Sequence, residues 1–229
     1  LVWLSICLTN RELFNLGAMT APRALATSIP QPTIELRAPR LVLYGGGFDP
    51  VHRAHLELAR RALEALGEAQ VCFVPAAQSP LKESGPVASE ADRLAMLRLA
   101  LKGKPDFLID DLECRRGGVS FSIDTARAFK ARFPGVELYW IVGADQFAQL
   151  EHWQAVDELV ALLTFLVAER PGYSTAPPPV PGLRFLRLSM PLRGESSSQI
   201  RERCRQGLSV AELVPPEVEA FISKNSLYC

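Results

Sequence analysis

Six short apolar runs punctuate the chain, and between most of them the hydrophobic positions fall at helical spacing. RLVLYG (Arg40–Gly45) is apolar and ends in glycine, the pattern of a strand covered on both faces. HLELARRALEALG follows with helical periodicity and a glycine stop at Gly67, which predicts a helix opening near Val51. QVCFVP (Gln70–Pro75) is a second strand, and SEADRLAMLRLALKG (Ser89–Gly103) a helix with a serine cap and a glycine end. FLIDDLE (Phe107–Glu113) reads as the third strand and SIDTARAFKARFPG as the helix after it. ELYWIVG (Glu137–Gly143) is the fourth strand, with ADQFAQL and AVDELVALL helical behind it. TFLVAERPG (Thr164–Gly172) and RFLRLS (Arg184–Ser189) are the fifth and sixth, separated by the proline-rich, extended YSTAPPPVPG. Helices from about Ser197 and Pro215 close the chain.

Strands alternating with helices predict an α/β fold: a Rossmann-like open, mostly parallel sheet with helices on both faces and a small helical part from about residue 190. Ligands of such sheets gather at the carboxyl ends of the strands, near the switch in strand order. The stretches expected there are 45–52, 75–82, 111–122, 143–153 and the turn before 197. Residues 40–229 read as a single domain.

Composition narrows the function. Lys+Arg and Asp+Glu are equal at 25 each, which argues against a broad polyanion-binding face, and nucleic acid is not an expected partner. Any anion site is local. Cys7, Cys72, Cys114, Cys204 and Cys229 are scattered and form no C-x-x-C pair, which argues against a disulfide framework or a zinc site and for a reducing, cytoplasmic setting. No apolar run reaches the roughly 20 residues of a membrane span. A homo-oligomer is compatible with the sequence and not specified by it.

Two stretches carry chemistry. Gly45-Gly46-Gly47 lets the backbone approach a ligand, and the helix behind it offers unpaired N–H groups to an anion. His52 and His55, two of the chain's 3 histidines, sit in its first turn and can donate to phosphate oxygens. The other stretch is GESSSQIRERC (Gly194–Cys204), where serines open a helix and Arg201 follows Ser198 by one turn. Hydroxyls, free N–H groups and a guanidinium suit a polyphosphate; taken alone, the same residues also read as an N-cap beside a surface arginine.

Together the two stretches resemble a known family. GGGFDPVHRAH is similar to the G-x-F-D-P-x-H-x-G-H signature of the nucleotidylyltransferase superfamily, and SSSQIR to its S-S-T-x-I-R signature. FVPAAQSPLK, ADRLAMLRLA, LECRRGGVSFSIDT, WIVGADQFAQLEHW and FLVAERPGY resemble, in order, one branch: the bacterial nicotinate-nucleotide adenylyltransferases. The resemblance implies transfer of AMP from ATP to nicotinate mononucleotide, giving nicotinate adenine dinucleotide and pyrophosphate. It implies that His52, His55 and Arg201 are catalytic, and that Gly45, Gly46, Gly47, Phe48, Asp145, Ser197 and Ser198 bind ATP. Lys82, Ser120, Ser122 and Trp153 would hold the acceptor, and Mg²⁺ would ride on phosphate oxygens with few or no protein ligands.

Bland readings stand beside three of these roles: Asp145 as a helix N-cap, Trp153 as core packing and Lys82 as a solvated lysine. His152 reads as surface. The sequence departs from the family pattern at Gly47, in place of Thr or Ser, at Ala54 and Leu81, and in SFS (Ser120–Ser122). A sister enzyme with another phosphate acceptor, such as nicotinamide mononucleotide or phosphopantetheine, would share the same phosphate-handling residues. A non-catalytic nucleotide-binding protein is the alternative from another class, and intact His52, His55 and Arg201 argue against it.

Residues 1–39 contain four prolines and no clear period, and read as an N-terminal extension that is disordered or not native. Their apolar opening lacks a basic n-region and meets Arg11 and Glu12 early, so a signal peptide fits poorly. Two readings stand side by side: an over-extended reading frame with the natural start at Met19 or later, and a real but loosely held extension. Mass spectrometry of the native protein checks this: a tryptic peptide from before Met19 would exclude the first.

Overall fold

Along the strand Arg40–Gly46 (β1), Leu41 and Leu43 face one side of a sheet and Val42 and Tyr44 the other, and all four are buried. That two-sided burial recurs in β2 (Ala69–Pro75), β4 (Glu137–Gly143) and β5 (Leu163–Ala168), and it requires helices over both faces. With β3 (Phe107–Ile109) and β6 (Phe185–Leu188) these form one six-stranded sheet in the order β3-β2-β1-β4-β5-β6. Every neighbouring pair is parallel, so the sheet is wholly rather than mostly parallel. The structure is a computed structural model that describes residues 34–80, 85–169, 176–189 and 195–229.

The helices divide by face. Residues of α1 (Arg53–Leu66) and α2 (Glu90–Leu101) pack with α7 (Ser197–Arg205) and α8 (Pro216–Lys224) on the side of Val42, Phe73 and Ile141. On the side of Leu43, Trp140 and Phe165 lie α4 (Ser122–Arg132), α5 (Ala144–Phe147), a 3₁₀ turn (Leu150–His152) and α6 (Val156–Leu162). The chain leaves β1 in one direction and returns at β4 on its other flank. The strand order therefore reverses between β1 and β4, and a crevice opens beyond their carboxyl ends.

Four expectations need correction. The third strand stops at Ile109 instead of running to Glu113. Fully buried Asp110 accepts from the Leu112 N–H at 2.9 Å and pairs with Arg115 and Arg132, and this turns the chain into a short helix, α3 (Leu112–Arg116). The first helix opens at Arg53, later than Val51, with His52 as its N-cap. ADQFAQL is α5 followed by the separate 3₁₀ turn. Packing also begins before Arg40: Ile34 and Leu36 contact the second core, and the Arg37 N–H donates to Gln70 Oε1 at 2.6 Å. The end of the expected fifth strand and the start of the proline-rich stretch, at 170–175, lie outside the described residues.

Phe165 is fully buried in β5, with ring centroids 6.4 Å from Phe147 and 6.3 Å from Trp153. Phe165→Ala is expected to cost about 3–5 kcal/mol, because the emptied ring volume lies between sheet and helix where neither can collapse. Urea unfolding of the variant measures it.

Candidate active site

The connection from β1 to α1 is built from close approaches. A Cβ on Gly45 would sit 2.8 Å from the Trp140 indole, and one on Gly46 3.2 Å from the Phe48 ring. Gly47 differs: nothing lies within 4 Å of its Cβ position, so the place where a hydroxyl-bearing residue was expected is open space. Phe48 takes a left-handed φ of 45°, a conformation costing on the order of 1 kcal/mol for a non-glycine residue. Its ring is buried against Tyr44, Phe73 and His55 at 5.3, 5.4 and 5.1 Å, which supports the turn.

His52 caps α1 and is 5% exposed; His55, at the third helical position, is half-buried. Their rings stack with centroids 3.6 Å apart. The His52 backbone N–H donates to His55 Nδ1 at 3.2 Å. Nδ1 is thereby an acceptor, so a neutral His55 carries its proton on Nε2 and presents a donor there.

The α7 helix comes onto this loop from the other end of the chain. Ser196 is its N-cap, accepting from the Gln199 N–H at 3.2 Å, so capping uses neither Ser197 nor Ser198. The Ser197 hydroxyl donates to Pro50 O at 3.0 Å, and Ser198 Oγ accepts from Arg201 Nη2 at 3.2 Å. Arg201 is no surface arginine: its side chain is 18% exposed, and Nη1 donates to Asp49 O at 2.8 Å. The Asp49 carboxylate accepts from Val87 N–H, Ala88 N–H and the Tyr228 hydroxyl at 2.7, 3.1 and 2.8 Å. Burial first, and then the bond to Asp49, push the Tyr228 phenol up, so it stays a donor. His52, His55, Ser197, Ser198 and Arg201 thus form one group.

Beside the glycine loop is a cleft of about 340 Å³, lined by Gly45–Gly47, Ala76, Ser79, Glu113, Ser120, Ser122, Trp140, Trp153 and neighbouring residues. The glycines line it, and the histidine–arginine group does not. Trp153 satisfies both of its readings, since it packs edge-on to Phe165 and also faces the cleft. Its Nε1–H is buried with no hydrogen-bond partner among the described residues. Ser120 is already engaged: its N–H donates to Gln78 O at 2.8 Å and its Oγ accepts from the Ala77 N–H at 3.1 Å. His152 is exposed but stands at the cleft rim.

Asp145 does not cap its helix, whose N-cap is Gly143. Its Oδ1 lies 2.5 Å from where a Gly143 Cβ would be, so the carboxylate folds back over the end of β4 only because that residue is glycine. Lys82 lies outside the described residues. A second hollow of about 400 Å³ between α1 and residues 104–107 holds none of the expected residues and is mostly apolar, with Arg60 on its rim paired to Glu57 and Glu64. Among the described residues no group of three His, Cys, Asp or Glu could hold a metal, and no helix is long and apolar enough to cross a membrane.

Sequence reasoning missed Asp49, Arg93, Glu113 and Tyr228. Glu113 lines the cleft at 3% exposure, and burial raises its pKa against the hydroxyl hydrogen bonds of Thr125 (2.5 Å) and Ser120. A signal for Arg93 existed: it falls on the apolar face of ADRLAMLRLA, one turn before Met96 and Leu97. Asp49 and Tyr228 meet across 179 residues, and no local pattern carries that contact.

The crevice at the strand-order reversal and the donors at two helix starts define a nucleotidyltransferase, and the chain belongs to the cytidylyltransferase-like family, whose profile matches residues 43–203. It is 44% identical over 185 residues to a probable nicotinate-nucleotide adenylyltransferase of Opitutus terrae, covering 80% of this chain and 95% of that one. A protein of the same name from Geobacillus kaustophilus is 40% identical over 190 residues, covering 82% and 86%. The fold matches Plasmodium falciparum nicotinic acid mononucleotide adenylyltransferase complexed with NaAD, with a TM-score of 0.69 at 19% identity, over 82% of this chain and 97% of that one.

A pH dependence follows from Glu113. Because its folded pKa is raised above 4.5, the folded state holds a proton that the unfolded chain has released. Stability therefore falls as pH rises from the unfolded value through the folded one. Glu113→Gln is expected to flatten that decline. Urea unfolding measured across this acid range checks it, and unchanged slopes would mean the carboxyl is not shifted.

Proposed function

We propose that the protein transfers AMP from ATP to nicotinate mononucleotide, forming nicotinate adenine dinucleotide and pyrophosphate. The observation that carries this reading is the joining of two helix starts, α1 with His52 and His55 and α7 with Ser197, Ser198 and Arg201, across one glycine loop beside a cleft walled by Trp153. An oxygen of the acceptor phosphate attacks the α-phosphorus of ATP, and the bond to the β-phosphate breaks as pyrophosphate leaves. No protein nucleophile is needed; the demand is for two anions held in line and for donors placed where charge develops.

His55, with its proton on Nε2, and His52, stacked on it, both donate to phosphate oxygens. Arg201 and the Ser197 and Ser198 hydroxyls take the β and γ phosphates. Asp145 receives the ribose hydroxyls, Trp153 stacks on the pyridine ring, and Lys82, Ser120 and Ser122 belong to the acceptor side. The residues suit phosphate oxygens better than a bare cation, so Mg²⁺ would come with the nucleotide and would supply charge that lowers the repulsion between the anions. The reaction is assigned to the cytoplasm, where scattered free thiols persist.

Purified protein with ATP and Mg²⁺ is expected to release pyrophosphate with nicotinate mononucleotide, and less with the amide or with phosphopantetheine. No release with any acceptor rejects the enzyme; preference for the amide rejects the substrate. His55→Ala is expected to lower turnover by about 10²–10³-fold with the circular dichroism spectrum unchanged, and near-normal turnover would remove His55 from the mechanism.

A further inference from the structure

Arg93 on α2 is 1% exposed and heads the fully buried side chains by volume. Its Nη1 donates to two carbonyls at once, Gly47 O and Ala76 O, each at 2.8 Å. Those carbonyls belong to the loops that leave β1 and β2, which are the nucleotide wall and the acceptor wall of the cleft. The same loops are tied directly by the Ala76 N–H to Gly46 O bond at 2.8 Å. Nη2 lies 4.0 Å from Cys114 Sγ, and that thiol donates to Pro75 O at 3.2 Å, so α3 joins the knot.

Among the described residues the guanidinium has no carboxylate in direct contact, and Glu90, Asp111 and Glu113 act on this corner only at longer range. No carboxylate lies within 4 Å of this guanidinium among the described residues, and Nε is buried with no hydrogen-bond partner there. Cys114 supplies no counter-charge, because burial pushes its thiol up to about 11. Arg132 and Arg201, by contrast, each meet an aspartate. A buried cation held only by carbonyl dipoles is costly unless an anion arrives nearby. Both carbonyls turn inward to Arg93, so in planar trans peptides the next N–H groups, of Phe48 and Ala77, point the other way.

We propose that Arg93 is a positioning residue that makes the nucleotide wall and the acceptor wall one unit, so that binding of either substrate strengthens binding of the other. The proposal rests on the adenylyl-transfer reading for the identity of the two ligands. Anion binding on one wall offsets the buried charge and fixes the shared guanidinium, which leaves less ordering for the second ligand to impose. The coupling is reciprocal, and its expected size is on the order of 10-fold. Lysine keeps the charge, but its ammonium lacks the planar fork that grips both carbonyls.

Calorimetric titration tests this, with nicotinate mononucleotide added to the protein with and without a saturating non-hydrolysable ATP analogue and Mg²⁺. The wild type is expected to bind the mononucleotide about 10-fold more tightly with the analogue present. In Arg93→Lys that ratio is expected to fall toward one, with each ligand's separate affinity within about threefold. A wild-type ratio of one overturns the proposal, as does an undiminished ratio in a folded variant. Amide hydrogen exchange on the wild type keeps the test independent of the variant's folding. The analogue alone is expected to slow exchange at Ala76–Gln78, and no change there overturns the coupling. Failure of the wild type to bind either ligand would instead reject the adenylyl-transfer reading.

Discussion

Asp49 sits at 6% exposure beneath the mouth of the site, and three donors from distant parts of the chain converge on its carboxylate. Two are the N–H groups of Val87 and Ala88, ahead of α2; the third is the Tyr228 phenol, beyond α8. Its main-chain carbonyl takes the Arg201 guanidinium. Leaving a carboxylate in this position without partners would cost several kcal/mol, so the loop, α7 and the segment after α8 stand or fall together. The position of Arg201 relative to the histidines follows from this knot, because Asp49 is three residues before His52.

From that anchor the site divides into two halves with different physics. The half proposed to hold the phosphates is a convergence of donors: a stacked histidine pair at one helix start, and hydroxyls and a guanidinium at another. The half proposed for the acceptor is a cleft whose walls are tied to the elements around it. Ser120 clasps the loop after β2, Glu113 holds Thr125, and Arg93 grips both loop carbonyls. The glycine loop belongs to both halves, and Gly47 faces the open part of it.

The pattern of apolar residues placed the strands well wherever two-sided burial made them continuous runs, as in β1, β2 and β4. It failed at FLIDDLE, where the strand was carried past Ile109 through Asp110 to Glu113. The Asp110 carboxylate is buried against Arg115 and Arg132, and turns the chain. The serine run shows the same limit more finely. Three adjacent serines are equally good caps by composition, and the register of α7 gives that task to Ser196, leaving the next two free to reach Pro50 and Arg201.

Local spacing alone determined the order of strands and helices and the glycine turn, and it singled out the histidines, serines and arginine to which the family resemblance then gave a proposed phosphate role. All of these are properties of residues within one or two turns of each other. Tertiary structure decided the rest: that Arg201 meets Asp49, that Tyr228 closes over it, that Arg93 is buried beneath the loops and that Glu113 is buried in the cleft lining. Those contacts join positions from 12 to 179 residues apart. Only chain packing supplies the desolvation that makes their polar groups seek each other out.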